Sequence, residues 1–274
     1  MPVQYTIITN INNSLFGRAL SYVEEQTPEQ TPDICLAAVK RCGYALKHVK
    51  VQTLEICLAA VKHNGYALKY VKHQTPEICL EAVKRQGDAL QYVKVQTPEI
   101  CLEAVKQNGR ALQYVKTQTP EICLAAVKQD GHALQFVKER TPELCMVAVK
   151  QSGHALRYVK DQTPEICLEA VRENGRALRY VKHQTLEICL EAVKQNGFAL
   201  QYVNDQYLEY VEKTLSVKRL AVHDEYALIY DKNTYSAGCR GPWTRQKALC
   251  HWDENHPNRE RATLFRNAIL NHVE

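Results

Sequence analysis

The chain has no run of about 18 apolar residues, the length a bilayer-crossing helix needs, and this excludes a helical membrane span. Its start, Met1 to Asn13, has no basic region followed by a continuous apolar stretch, which argues against a secretory leader. An excess of one charge is missing too. The formal net charge is +5 over 274 residues, with both signs interspersed, so the balance does not by itself announce a nucleic-acid or membrane partner. There is no Gly-rich phosphate loop, no Gly-x-Ser-x-Gly elbow and no His-Glu-x-x-His pair. The expectation is a soluble intracellular protein that is not an enzyme and carries no cofactor. With 45% apolar residues it has enough to bury a sizeable core.

What is present is repetition. Thr31, Thr53, Thr75, Thr97, Thr119, Thr141, Thr163 and Thr185 stand 22 residues apart, and so do Gly43, Gly65, Gly87, Gly109, Gly131, Gly153, Gly175 and Gly197. Each unit carries its own punctuation. In the unit from Thr97 to Gln118, Thr97 suits an N-cap, Pro98 the first helical position, and Glu99 the positive end of the helix dipole. Ile100, Cys101, Ala104 and Val105 follow helical spacing, and Gly109 is expected to stop the helix in the left-handed conformation. Ala111, Leu112 and Val115 then suit a second short helix, because strand alternation over the same segment is poor. A helix-plus-strand unit of leucine-rich-repeat type is the alternative, since its period also covers 22 residues. Helices this short gain their stability from stacking. The fold class is therefore mainly α: an α-solenoid of two-helix 22-residue repeats with a small α+β C-terminal module.

Three segments follow: a capping segment with a half repeat over 1–29, the eight-repeat array with a degenerate cap over 30–217, and the module over 218–274. Gly17 to Gln26 matches the second half of a unit. At the other end, Leu190, read as a core leucine, gives way to Glu212, which suits an outer face with no further unit to cover.

Cys35, Cys57, Cys79, Cys101, Cys123, Cys145, Cys167 and Cys189 recur once per unit. Packed helices lie roughly 9 to 10 Å apart, farther than the about 7 Å that a disulfide tolerates between Cα atoms. These thiols are expected to be free, buried and kept reduced.

Comparing units within the chain locates the freedom to vary. The residue after the glycine runs Tyr44, Tyr66, Asp88, Arg110, His132, His154, Arg176, Phe198, and the residue before the terminal Gln runs from Val51 to Asp205. Constant positions are expected to build the stack and variable ones to stand free of it. The post-glycine column is the candidate partner-binding surface, set against a merely tolerant solvent face.

Two basic ladders, Lys40 to Lys194 with Arg172 among them, and Lys50 to Lys182, offer nucleic-acid binding as an alternative, since such stripes can track phosphates. Each lysine also has a local explanation near a helix C-terminus, and the positive charge fades along the array. The aromatic row of Tyr70, Tyr92, Tyr114, Tyr158, Tyr180 and Tyr202, with Phe136 and His48 in the same column, could stack bases, but its spacing beside Val71 and Val115 reads as core packing. The Gln ladder from Gln30 to Gln184, broken at Arg140, reads as satisfying turn backbone between units.

Beyond about Lys218 the period is lost. Glu225–Tyr230 and Thr234–Ala237 read as two strands around an Asp231–Asn233 turn, Thr244 as the cap of a helix through Trp252, and Arg259–Val273 as a last helix with Ala262, Leu264, Phe265, Ile269 and Leu270 on its apolar face. Cys239, Cys250, His251 and His256 are ligand types for zinc, but their spacing does not match paired zinc knuckles, and adjacent Cys250 and His251 point apart on a helix. No metal site is expected; metal-dependent chemistry in this module is the third functional alternative.

The Thr-Pro-Glu-Ile-Cys-Leu-x-Ala-Val-Lys-x-x-Gly-x-Ala-Leu-x-Tyr-Val-Lys unit resembles a repeat family of unknown function common in mimivirus-type giant viruses of amoebae and found in some bacteria. The tail strings Tyr235–Arg240 and Ala248–Trp252 resemble, less closely, a short module of unknown function in phage and large-virus proteins. These resemblances imply a viral origin, in the host cytoplasm or the virion, and assign no activity. The reading is a non-enzymatic scaffold for protein–protein interaction, with an unidentified protein partner.

Overall fold

The computed structural model describes residues 31–223, 226–231, 234–237, 240–252, 257 and 259–272. The half repeat read over Gly17–Gln26, and Cys239 and His256, lie outside the described residues. The chain divides into two compact bodies, residues 1–139 and 140–274.

The first body holds five units. Their α-helices are α1 (Pro32–Arg41), α2 (Leu54–His63), α3 (Pro76–Arg85), α4 (Pro98–Gln107) and α5 (Pro120–Gln129), each followed by a six-residue 3-10 helix: Gly43–His48, Gly65–Tyr70, Gly87–Tyr92, Gly109–Tyr114 and Gly131–Phe136. The two-helix unit is as expected, and its second member is the tighter 3-10 form. In α4 the Thr97 hydroxyl accepts from the Ile100 amide at 3.3 Å, with Pro98 in the first turn. The helix ends at Asn108, whose φ of −146° and ψ of 109° are extended. Asn108 then accepts from the Arg110 amide at 3.0 Å and so opens the 3-10 helix. One asparagine thus ends one helix and caps the next.

The expected left-handed glycine stop is overturned. Extended geometry at the preceding residue already turns the chain, and glycine is needed for contact with the neighbouring unit. A Cβ on Gly109 would lie 2.5 Å from the Ala126 carbonyl oxygen, and one on Gly65 2.5 Å from that of Ala82. The glycine lets two units approach backbone to backbone.

The core is small and aliphatic: Ile100, Cys101, Ala104 and Val105 from α4, with Ala111, Leu112 and Val115 from the segment after it. The leucine after the cysteine is not part of it. Leu36, Leu58, Leu80 and Leu102 are half-buried and Leu124 is exposed, because that position turns away from the Ile100/Ala104/Val105 face.

The second body holds three further units with α6 (Pro142–Gln151), α7 (Pro164–Glu173) and α8 (Leu186–Gln195), each followed by a 3-10 helix: Gly153–Tyr158, Gly175–Tyr180 and Gly197–Tyr202. Helix α9 (Asp205–Leu215) ends at Ser216, which is left-handed at φ 52°. Leu190 is half-buried, so the leucine column is not core here either. Glu212 has a specific task instead: its carboxylate accepts from the Arg219 amide at 2.8 Å.

The tail is an antiparallel four-stranded sheet in the order β1 (Val217–His223), β2 (Tyr226–Asp231), β3 (Thr234–Ala237), β4 (Arg240–Trp243), followed by α10 (Arg245–His251) and α11 (Arg259–Asn271). The two inner strands and both helices match expectation; the outer strands extend the sheet on either side. Leu228, Ala237, Ala248, Trp252, Ala262, Phe265 and Ile269 form its core. Leu264 and Leu270, expected on the apolar face of α11, are exposed. β1 and β2 pack on the 3-10 helix Gly197–Tyr202, and Arg219 donates to the Gln201 carbonyl at 3.4 Å.

Candidate functional site

A repeat protein presents whatever its inter-unit bonds leave uncovered. Those bonds come first. Gln52, at the end of unit one, uses its amide in both directions: Nε2 donates to the Tyr70 carbonyl at 2.9 Å, and Oε1 accepts from the Lys72 amide at 3.0 Å. Gln74, Gln96 and Gln118 repeat this clasp with Tyr92 and Lys94, Tyr114 and Lys116, and Phe136 and Lys138. In the second body Gln162 does the same with Tyr180 and Lys182. The glutamine oxygen also accepts from the cysteine thiol of the next unit, at 3.6 Å from Cys101 to Gln96. The ladder therefore satisfies backbone between units, as its regularity suggests.

The second lysine ladder is tied down similarly. Lys72 Nζ donates to the Lys50 carbonyl at 2.8 Å, Lys94 to Lys72 at 3.1 Å, and Lys182 to Lys160 at 2.7 Å. Each ammonium sits on a carbonyl of the preceding unit, an inter-unit bond and not the helix-dipole contact read from the sequence. Nine cysteines, Cys42 and the eight that recur once per unit, are free and buried. Burial pushes up the eight thiols that recur once per unit, Cys35 through Cys189, to about 11 for Cys167 and Cys189; at Cys167 the Glu165 charge adds to it.

The post-glycine column does not stand free of the stack. Tyr44 packs edge-on against Tyr70 of the next unit with ring centres 6.0 Å apart, and Tyr66 against Tyr92 at 6.2 Å. Asp88 accepts from the Asn108 amide at 3.1 Å, and Arg110 pairs with Asp130 at 2.8 Å. In the second body His154 packs on Tyr180 at 5.8 Å, and the Arg176 guanidinium lies 5.4 Å from the Phe198 ring centre. The column varies in chemistry yet reaches one unit forward wherever these contacts occur. The reason is geometric: the close Gly–Ala approach sets the next residue's side chain against the following unit.

These side chains remain partly accessible. Tyr44 and Arg110 are exposed, and Tyr66, Asp88, His132, His154, Arg176 and Phe198 are half-buried. The aromatic row beside them, Tyr70 through Tyr202, is also half-buried, which corrects the reading of it as core. The core positions around it are already filled by alanine and leucine. Cations lie over several of these rings: Arg157 is 4.9 Å from the Tyr158 ring centre, and Arg179 is 5.2 Å from Tyr180 and 5.7 Å from Tyr202. Burial, and after it the Asp88 carboxylate, push the Tyr66 hydroxyl up. Two columns read separately from the sequence are thus one surface. The column before the terminal Gln, from Val51 to Asp205, is exposed throughout and fits a tolerant solvent face.

Among the described residues, no three His, Cys, Asp or Glu side chains converge as a metal site would require, and no helix is long and apolar enough to cross a membrane.

These features define a protein of tandem helix–3-10 units. Comparison places it: the chain belongs to the family described as Domain of unknown function (DUF4116). That family's model matches residues 31–74, 53–96, 75–119, 97–141, 119–163, 141–184 and 163–208. Each match spans two successive units, so the family's unit of recognition is a neighbouring pair. No curated protein and no solved structure matches the chain.

Proposed function

We propose that this chain is a non-enzymatic, virus-encoded interaction scaffold, a solenoid-type array that binds a protein partner inside the infected cell. One observation carries the reading. The eight copies of one repeated backbone position carry five residue types, Tyr, Asp, Arg, His and Phe, partly accessible and flanked by a nearly constant aromatic row. A constant frame that displays varied polar and aromatic side chains suits recognition, since Tyr and Arg dominate binding energy at interfaces. Catalysis requires different groups converging on one atom, and repetition of a single surface does not supply that. Nucleic-acid binding through the lysine ladders is the weaker reading, because Lys72, Lys94, Lys116, Lys138 and Lys182 of the second ladder already spend their ammonium groups on neighbouring carbonyls.

The test exchanges residues already found in the column. Tyr66→Asp and Asp88→Tyr keep side chains that the frame accommodates elsewhere. Partners are recovered with the full chain after crosslinking in the native host cell. A partner lost by the exchanged protein, with helical circular dichroism and melting unchanged, supports the reading. Recovery unaltered by exchanges throughout the column overturns it.

A further inference from the structure

The α-helical side of the first two units carries a feature no other pair repeats. In units three, four, seven and eight the residue after the half-buried leucine is Glu81, Glu103, Glu169 and Glu191; in unit two it is Ala59. Six units place proline at the first helical position, whereas unit two has Leu54. Leu54 and Ala59 occur together only in this unit, since Leu186 of unit eight is followed by Glu191.

The pairing opens an apolar groove of about 620 Å³ between α1 and α2, floored by Leu36, Leu54, Leu58 and Ala59. Leu54 is 47% exposed and, with the half-buried Leu36, Leu58 and Ala59 beside it, leaves a contiguous apolar patch open to solvent. The rim is Lys40, Lys62 and His63, with Glu55 as its one acid. This is also the most basic stretch of the array: unit one sets Lys40, Arg41, Lys47 and Lys50 against Asp33, and unit two sets Lys62, Lys69 and Lys72 against Glu55.

An apolar floor with a cationic rim selects its occupant. Phosphates would gain nothing from four aliphatic side chains, and a basic segment would meet Lys40 and Lys62. We infer that this groove docks an acidic amphipathic helical segment of a partner protein, its apolar side chains on Leu54 and Leu58 and its carboxylates on Lys40 and Lys62. Helix-in-groove recognition has this form. The inference rests on the interaction reading above but uses different residues, on the α-helices instead of the 3-10 helices.

The probe is a labelled model peptide of about 12 residues, with leucine at helical spacing and glutamate on the flanks, titrated into the full chain by fluorescence anisotropy. A matched peptide with lysine for glutamate is the comparison. Saturable binding of the acidic peptide, at least about tenfold tighter than the basic one, is the expected result. Ala59→Glu should weaken it by about tenfold or more, and Leu54→Pro should weaken it as well. Both variants restore residues that other units carry at these positions, so folding is retained and is checked by circular dichroism. Equal binding of the two peptides, or binding unchanged by Ala59→Glu, overturns the inference. So does self-association of the chain that Ala59→Glu abolishes, which would make a second copy the occupant. None of these outcomes touches the post-glycine exchanges, so failure here and failure of the scaffold reading are told apart.

Discussion

A Cβ placed on Gly109 would stand 2.5 Å from the carbonyl oxygen of Ala126, one unit further along the chain. The contact is to backbone, which cannot swing aside as a side-chain tip can. Gly109→Ala is expected to destabilise the chain by about 1 to 3 kcal/mol through overpacking, visible as a lower denaturation midpoint in urea. Thr117→Ala, at an exposed position, is the comparison and should change stability by less than about 0.5 kcal/mol. A neutral Gly109→Ala would show that the close approach relaxes at little cost.

Gln96 holds two backbone groups of the next unit, the Tyr114 carbonyl at 2.8 Å and the Lys116 amide at 3.0 Å. Gln96→Leu leaves both without their amide partner, at about 1 to 3 kcal/mol for each group that water does not reach. Gln96→Glu keeps the acceptor for Lys116 but loses the donor for Tyr114, so its loss should be the smaller. Hydrogen exchange at the Lys116 amide separates them: faster in the leucine variant, protected in the glutamate one.

The buried thiols set an alkaline limit. Below their ordinary value of 9.0 they are protonated in both folded and unfolded chains and add no pH dependence. As pH rises from there toward about 11, the unfolded chain ionises Cys167 and Cys189 while the folded chain does not, so stability falls over that window. The urea midpoint at pH 10 should lie below that at pH 8, and the gap should narrow in a Cys167→Ala, Cys189→Ala double variant. An undiminished gap would assign the alkaline loss to other groups. The same burial predicts that these thiols stay unmodified by alkylating reagents at neutral pH until the chain unfolds.

In the tail, Phe265 meets Trp252 edge-on with ring centres 4.9 Å apart, and both are buried. Phe265→Ala is expected to cost about 3 to 5 kcal/mol of the tail's stability and to remove the near-ultraviolet circular dichroism of Trp252. Helical signal from the repeat units should persist. Unchanged tryptophan dichroism would count against this packing.

The repeat, its Thr cap, the cysteine in the core and the glutamine clasp were legible because each leaves a period of 22 and a local chemical reason. The role of glycine was not. Gly109 preceded by polar Gln107 and Asn108 looks the same whether it adopts a left-handed turn or admits a neighbouring carbonyl, and only the position of Ala126 distinguishes the two. The post-glycine column misled for a related reason. Variation suggested freedom from the stack, yet tyrosine against tyrosine, arginine against aspartate and histidine against tyrosine all bridge the same gap. The tyrosine row was given to the core because a 3-10 second helix turns its faces differently from the α-helix that the spacing implied, whereas the leucine after the cysteine, as at Leu102, lies on the α-helix but off its Ile100/Ala104/Val105 face. In the tail, β1 and β4 lacked clear alternation, and β4 carries Pro242, so neither read as a strand although each pairs with its sequence neighbour, β1 with β2 and β4 with β3.

Gln52 reaches only as far as Tyr70 and Lys72, and Lys72 only back to Lys50. No bond of this series depends on how many units precede or follow it. A gene encoding such a chain can therefore gain or lose whole units by misaligned recombination between its own near-identical segments, and every surviving clasp stays in register. Array length becomes a heritable variable that selection can tune separately from foldability, while point changes at the post-glycine codons alter what each copy displays.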